Sequence, residues 1–234
     1  MTKTIEDKEL GVIVFNKNTR AKRLIIRLKA DCIAVTLPHS STYDDAMKFV
    51  QSKREWIIAN REKTAKKQKP IGNDEPLKTL TFSVQITPAE RKDYFISLKN
   101  NVLTINYPQQ IPPESENAQK VFHKAVENAL RHEAKRILPP MLKNFAAQYG
   151  FLYNNVKISA GKTRWGSCSS RKTINLSYFL LTLPEHLIRY VLLHELCHTR
   201  EMNHGTGFWR LLNSITDNRA KMFAAEIKKY RTSF

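Results

Sequence analysis

The sequence predicts an α+β protein in two parts, and three observations carry that reading. Residues 1–116 are built of short β-branched apolar runs around one helical stripe, residues 117–234 follow a helical period, and a proline-rich junction separates them. In the first part Gly11–Phe15, Leu24–Leu28 and Ile33–Leu37 read as strands, with a turn at Lys29-Ala30-Asp31 and a stop at Pro38. Ser40-Ser41-Thr42 supplies an N-cap for a helix that places Ala46, Phe49, Val50, Lys53, Trp56 and Ile57 on one stripe. The basic stretch Lys63–Pro70 reads as a solvated linker, its Lys66, Lys67 and Lys69 facing water. Thr79–Thr87, Tyr94–Leu98 and Val102–Tyr107 read as further strands, and the Ile111–Glu116 segment (IPPESE) as the domain boundary.

The second part opens with a helix over Ala118–Leu138, interrupted by Pro139-Pro140 and resumed from Met141 to Tyr149, where Gly150 stops it. Val156–Ser159 is predicted as a strand, and Thr163–Ser167 and Thr173–Ser177 as the two arms of a hairpin. Pro184 opens a helix with Leu187, Tyr190, Val191 and His194 on one stripe. Thr206–Ile215 and Asp217–Tyr230 complete the helical pattern, the latter capped by Thr216 or Asp217, with Met222 in its core.

Composition excludes several classes. Of 234 residues, 41% are hydrophobic and 26% charged, which argues against wholesale disorder and against collagen-like repeats. No apolar run reaches the length of about 18 residues that a membrane-spanning helix needs, so no membrane role is expected. The charged start MTKTIEDKELG lacks a secretory apolar core, and Cys32, Cys168 and Cys197 are a poor basis for a disulfide framework. The expectation is a reducing, cytoplasmic setting. The net charge of +18 is concentrated in the second part, with 19 Lys and Arg against 7 Asp and Glu between residues 118 and 234. An anionic partner, nucleotide or nucleic acid, therefore stays in view.

The chemistry centres on His194-Glu195-Leu196-Cys197-His198. Four residues advance a helix by about 6 Å and return side chains to nearly the same face. Two imidazoles spaced in this way can share one ion. Glu195, about 100° around the axis from His194, is placed to take a proton from water rather than to ligate. A third donor follows at His204: Asn203 is expected to end the helix in a left-handed conformation, and Gly205 to let the chain swing His204 back. Three histidines with an open fourth position are the donor set of a catalytic zinc site. The five-residue motif arises by chance about once in a hundred chains of this composition, and a further histidine six residues on makes it far rarer. Four of the seven histidines fall between His186 and His204.

Beyond the motif itself, the chain resembles the YgjP-like metallopeptidases, relatives of the SprT-like zincins. The resemblance is carried by Lys162–Ser169 (KTRWGSCS), Ile174-Asn175-Leu176, Tyr190–His204 and Phe208-Trp209. Arg20–Arg23 and the helix around Phe49–Ile57 extend it to the amino-terminal part. It implies a zincin-like catalytic core of helices and a small sheet, with the hairpin before the motif helix. It implies one zinc ion held by His194, His198 and His204, with Glu195 as general base and a protein or peptide as substrate. It also places the Arg164–Ser169 strand near the site, where Trp165 is either a packed core aromatic or a substrate contact. The metzincin glycine position is here Glu201, so that group's sharp turn is not supported.

Two alternatives share the metal site or the charge: a metal-dependent nucleotide pyrophosphatase or phosphohydrolase, and a DNA-associated protease with Arg20, Lys22, Arg23 and Arg27 as a basic face. Gly161-Lys162-Thr163 echoes a phosphate-binding loop, but Val156 stands where its first glycine belongs. Cys168 and Cys197 are read as structural, and His39, His123, His132 and His186 lack ligand spacing.

Overall fold

The chain divides into two units, Met1–Lys69 and Pro70–Phe234. The computed structural model describes residues 2–28, 32–65, 70–72, 76–161 and 163–232. The expected turn at Lys29-Ala30-Asp31, the lysines Lys66, Lys67 and Lys69, and Lys162 lie outside the described residues.

The first unit is a four-stranded sheet and two helices. Strands β1 (Thr2–Asp7), β2 (Gly11–Asn18), β3 (Ile25–Leu28) and β4 (Ile33–Pro38) lie in the order β1-β2-β4-β3, with β2 and β4 parallel. Ile13, Phe15, Ile33, Val35 and Leu37 pack with Ala46, Val50 and Ile57 in one core. Thr42 caps helix α1 (Tyr43–Ser52) through a reciprocal pair: its hydroxyl accepts from Asp45 N, and Asp45 accepts from Thr42 N. The single helix expected here is two, because the backbone leaves helical geometry at Lys53 (φ −111°, ψ 12°) before α2 (Arg54–Ala65) begins. That break turns Trp56 outward to 49% exposure instead of onto the stripe. Strand β1 was not expected; its polar TKTIED alternation pairs residue for residue with β2.

The second unit carries the chemistry. Strands β5 (Ser83–Ala89), β6 (Phe95–Lys99) and β7 (Val102–Pro108) form a sheet ordered β5-β7-β6, packed on the long helix α3 (Glu116–Tyr149). The two units divide at residues 69 and 70, ahead of the boundary expected between residues 116 and 117. The reason is burial. Phe82, Val84, Ile86, Leu103 and Ile105 share one continuous core with Phe122, Val126 and Leu130 of α3, and Tyr94 and Tyr107 meet the Phe122 ring edge-on. Gln119 holds the unit's start, accepting from Ile71 N (2.9 Å) and donating back to Ile71 O (3.0 Å).

Helix α3 runs unbroken through Pro139 and Pro140. Each proline removes a helical donor and costs about 3 kcal/mol in an isolated helix. Leu138 and Leu142, both fully buried on either side, hold the axis in line here. Gly150 closes the helix at φ 68°, as expected. Strands β8 (Asn155–Ser159), β9 (Gly166–Cys168) and β10 (Thr173–Ser177) follow in the order β8-β10-β9; β9 and β10 are the expected hairpin, with a shorter first arm. Helices α4 (Glu185–Cys197), α5 (Thr206–Ser214) and α6 (Ala220–Glu226) close the unit. The cap of α6 is Arg219 rather than Thr216 or Asp217, and Ala220 and Phe223 take the buried positions while Met222 is 52% exposed. No helix of the described residues is long and apolar enough to cross a membrane.

Glu133 sits buried on α3, where the Arg136 guanidinium (Nε to Oε1, 3.2 Å) holds its carboxyl below the usual range; His132 Nδ1 stands 3.2 Å from the same oxygen. A lowered native pKa stabilises the fold above the unfolded value of about 4.3 and loses that effect as pH falls through the native value. Arg136→Ala is expected to destabilise the fold at pH 7 by removing the charge-assisted bonds to buried Glu133. The gap from wild type should narrow as pH falls from neutrality through the lowered native value. Urea unfolding across that range measures it, and a pH-independent gap would contradict the account.

Candidate metal centre

Helix α4 exposes Glu185, His186 and Arg189 in its first turns, whereas Leu187, Ile188, Leu192, Leu196 and Cys197 are fully buried and Tyr190, Val191 and Leu193 nearly so. A helix half that is buried all round lies inside its unit rather than on it. His194 and His198 sit one turn apart at its end, and Glu195 is carried into the interior at 5% exposure. Cys197 takes the buried position expected of a small apolar residue.

The helix ends at His198, earlier than expected, and Asn203 is not left-handed. The amides of Arg200 and Glu201 both donate to Cys197 O (3.0 and 2.9 Å), and Gly205 N donates to Asn203 O (2.8 Å). These bonds turn the chain back through extended and bent backbone without left-handed residues. Gly205 then serves as the N-cap of α5 (φ −76°). Arg200 ties the same segment to the end of α3: its guanidinium donates to Gly150 O (2.6 Å) and lies 4.4 Å above the Phe151 ring.

The result is convergence of three rings. His198 Nε2 stands 3.2 Å from His194 Nε2, and His204 Nε2 stands 3.1 Å from it. All three donor atoms lie within 4.8 Å of one another, and among the described residues no other such cluster of His, Cys, Asp and Glu forms. Two ring nitrogens on one tetrahedral zinc, each at about 2.0–2.1 Å, stand about 3.3–3.4 Å apart. The donor set therefore fits a metal ion.

Protonation favours the same use. Burial, reinforced by the two neighbouring rings, pushes His194 down to about 3, and burial also lowers His198. Both present neutral rings at neutral pH. His198 Nδ1–H donates to Glu201 O (2.9 Å), which leaves its Nε2 lone pair facing the cluster. Tyr190 Oη stands 3.5 Å from His194 Nδ1, its own hydroxyl pushed up to about 12 by burial. His204 is exposed, so the cluster opens to solvent on that side.

Phe208, fully buried on α5, backs all three imidazoles. Its ring is stacked on His198 at 4.6 Å and meets His194 and His204 edge-on at 4.9 and 4.6 Å. Phe208 was legible only as part of a motif, and its contact with three rings from two segments has no local signature.

Glu195 lies beside the cluster with its carboxyl pushed up to about 8 by burial, the Arg164 charge pulling the other way. Its Oε2 has no hydrogen-bond partner among the described residues. Gly166 of β9 lies against it. Trp165, just before that strand, is half-buried and packs on the core of the unit, with its carbonyl accepting from Ser177 N (2.9 Å). Cys168 is half-buried, and burial raises its thiol, so it is no ready nucleophile. His186 pairs with Glu226 and His132 with Glu133, away from the cluster. Arg20, Lys22, Arg23 and Arg27 are exposed in the first unit.

Residues 22–229 match the model of the YgjP-like family, described as a metallopeptidase domain. The chain belongs to that family. It is accordingly a hydrolase of the metallopeptidase class. Part of this YgjP-like chain is similar to two solved structures. One is the metallopeptidase zymogen abylysin of Pyrococcus abyssi: 25% identity, 42% of this chain and 100% of that one, TM-score 0.37. The other is the metallopeptidase zymogen jannalysin of Methanocaldococcus jannaschii: 24% identity, 39% of this chain and 93% of that one, TM-score 0.35. No curated protein matches the chain.

Removing the Phe208 ring leaves the imidazoles without their common backing. Phe208→Ala is expected to weaken metal binding by about ten- to a hundredfold, the usual scale for groups that orient ligands. Competition against a chromophoric chelator reads this directly. Unchanged affinity in a folded variant would show that the rings hold themselves.

Proposed function

We propose that the chain is a zinc-dependent peptidase in which His194, His198 and His204 hold one zinc ion and Glu195 is the general base. The observation that supports this most is the meeting of three imidazole nitrogens at 3.1–3.2 Å steps beside a buried carboxylate. Zinc held there supplies Lewis-acid chemistry, acidifying water and drawing charge from a peptide carbonyl.

The chain's own residues do the rest. Glu195 accepts the proton of the attacking water on a carboxylate oxygen and passes it to the amide nitrogen that leaves. Its apolar surroundings suit that work, because a carboxylate with raised proton affinity is the stronger base. The Glu201 carbonyl fixes the plane of His198, and Phe208 fixes the rings against one another.

The substrate is an extended peptide lying along β9. Among the described residues that strand pairs in its sheet with β10 alone, which supports addition of a peptide strand along its other edge. Trp165 then borders the bound peptide at the start of the strand.

Glu195→Gln should retain zinc, measured by elemental analysis, while hydrolysis of a labelled casein falls by at least about a hundredfold. Parallel incubation with nucleoside triphosphates should release no phosphate. Undiminished proteolysis in the zinc-loaded variant would refute the assignment of the base.

A further inference from the structure

Gly166 opens β9 with its backbone directly over the Glu195 carboxylate. A Cβ at this position would stand 2.7 Å from both Cγ and Oε1 of Glu195 and 2.9 Å from Cδ. Non-bonded carbons rest at about 3.5–4.0 Å, so any side chain at 166 forces a displacement on the order of 1 Å.

Neither side of this contact can yield easily. Glu195 is 5% exposed and is carried on a helix whose next two residues, Leu196 and Cys197, are fully buried. Strand β9 is held from behind: Gly166 pairs with Leu176, itself fully buried in β10, and the preceding Trp165 carbonyl accepts from Ser177 N. The glycine does not serve backbone conformation. Among the described glycines only Gly11 and Gly150 have positive φ, so alanine can adopt the Gly166 backbone and the requirement is for space.

We propose that Gly166 is a positioning residue for the reaction: its missing side chain is the slot that sets where the Glu195 carboxylate stands relative to the three histidines. Any side chain there moves the base off its line to the attacking water without touching the imidazoles. This rests on Glu195 being the general base.

The test is a double-mutant cycle on the full chain, comparing Gly166→Ala, Glu195→Ala and the pair by thermal midpoint, with kcat and KM of the zinc-loaded Gly166→Ala chain read on labelled casein. Gly166→Ala should keep one zinc per chain and its KM, while kcat falls about a hundredfold, the scale of a misplacement near 1 Å. Gly166→Ala should also lower the thermal midpoint. In the Glu195→Ala background the same change should lower it far less, because truncation at Cβ removes the Cγ, Cδ and Oε1 that the methyl group meets. That coupling supports the proposal. An unchanged kcat in Gly166→Ala, or midpoint shifts that simply add, would overturn it. Should Gly166→Ala fail to fold, the thermal midpoint of the double variant decides: recovery supports the slot, and an equally unfolded chain overturns it. Glu195→Gln separates the two ideas. Full turnover in that variant removes the base and the slot together, whereas an inactive Glu195→Gln beside a fully active Gly166→Ala removes only the slot.

Discussion

Burying an ionisable helix end inside an apolar unit is the constraint from which the rest of this structure follows. Helix α4 shows water its first turns, through Glu185, His186 and Arg189, but has no exposed residue from Tyr190 onward, so His194, Glu195 and His198 come to lie among packed side chains. Burial does three things there. It keeps two rings neutral and able to donate lone pairs, it raises the proton affinity of the carboxylate, and it fixes all of them in place. A more exposed helix with the same residues would have charged, mobile rings at mildly acidic pH.

Position is then set by neighbours from elsewhere in the unit. The Glu201 carbonyl orients one ring, Phe208 backs three, and Arg200 fastens the returning segment to the end of α3. Strand β9 lies on the other side of Glu195, so the hairpin and the helix share one side chain as their contact. The three-stranded sheet with its short strands roofs the carboxylate, and among the described residues β9 pairs with β10 alone.

Much of this was legible in the residues because it is local. The four-residue spacing of His194 and His198, the N-cap within Ser40-Ser41-Thr42, and the helix stop at Gly150 are each decided within one turn of chain. What escaped depends on distant partners. Pro139 and Pro140 read as a break, yet buried leucines on both sides carry the helix through. The break at Lys53 has no proline or glycine to announce it. The sheet of β5, β6 and β7 precedes a proline-rich junction but belongs with α3, because Phe122 and its neighbours need that sheet to be covered. At the site, the three histidines could be picked out from spacing, but the route to His204 and the contacts of Phe208 and Gly166 arise only when separate segments meet.

X-ray absorption at the zinc edge, on protein loaded with one equivalent of zinc, probes the centre most directly. The account predicts three imidazole nitrogens and one further light atom at about 2.0–2.1 Å. A sulfur neighbour at about 2.3 Å, or fewer than three imidazoles around the ion, would contradict it.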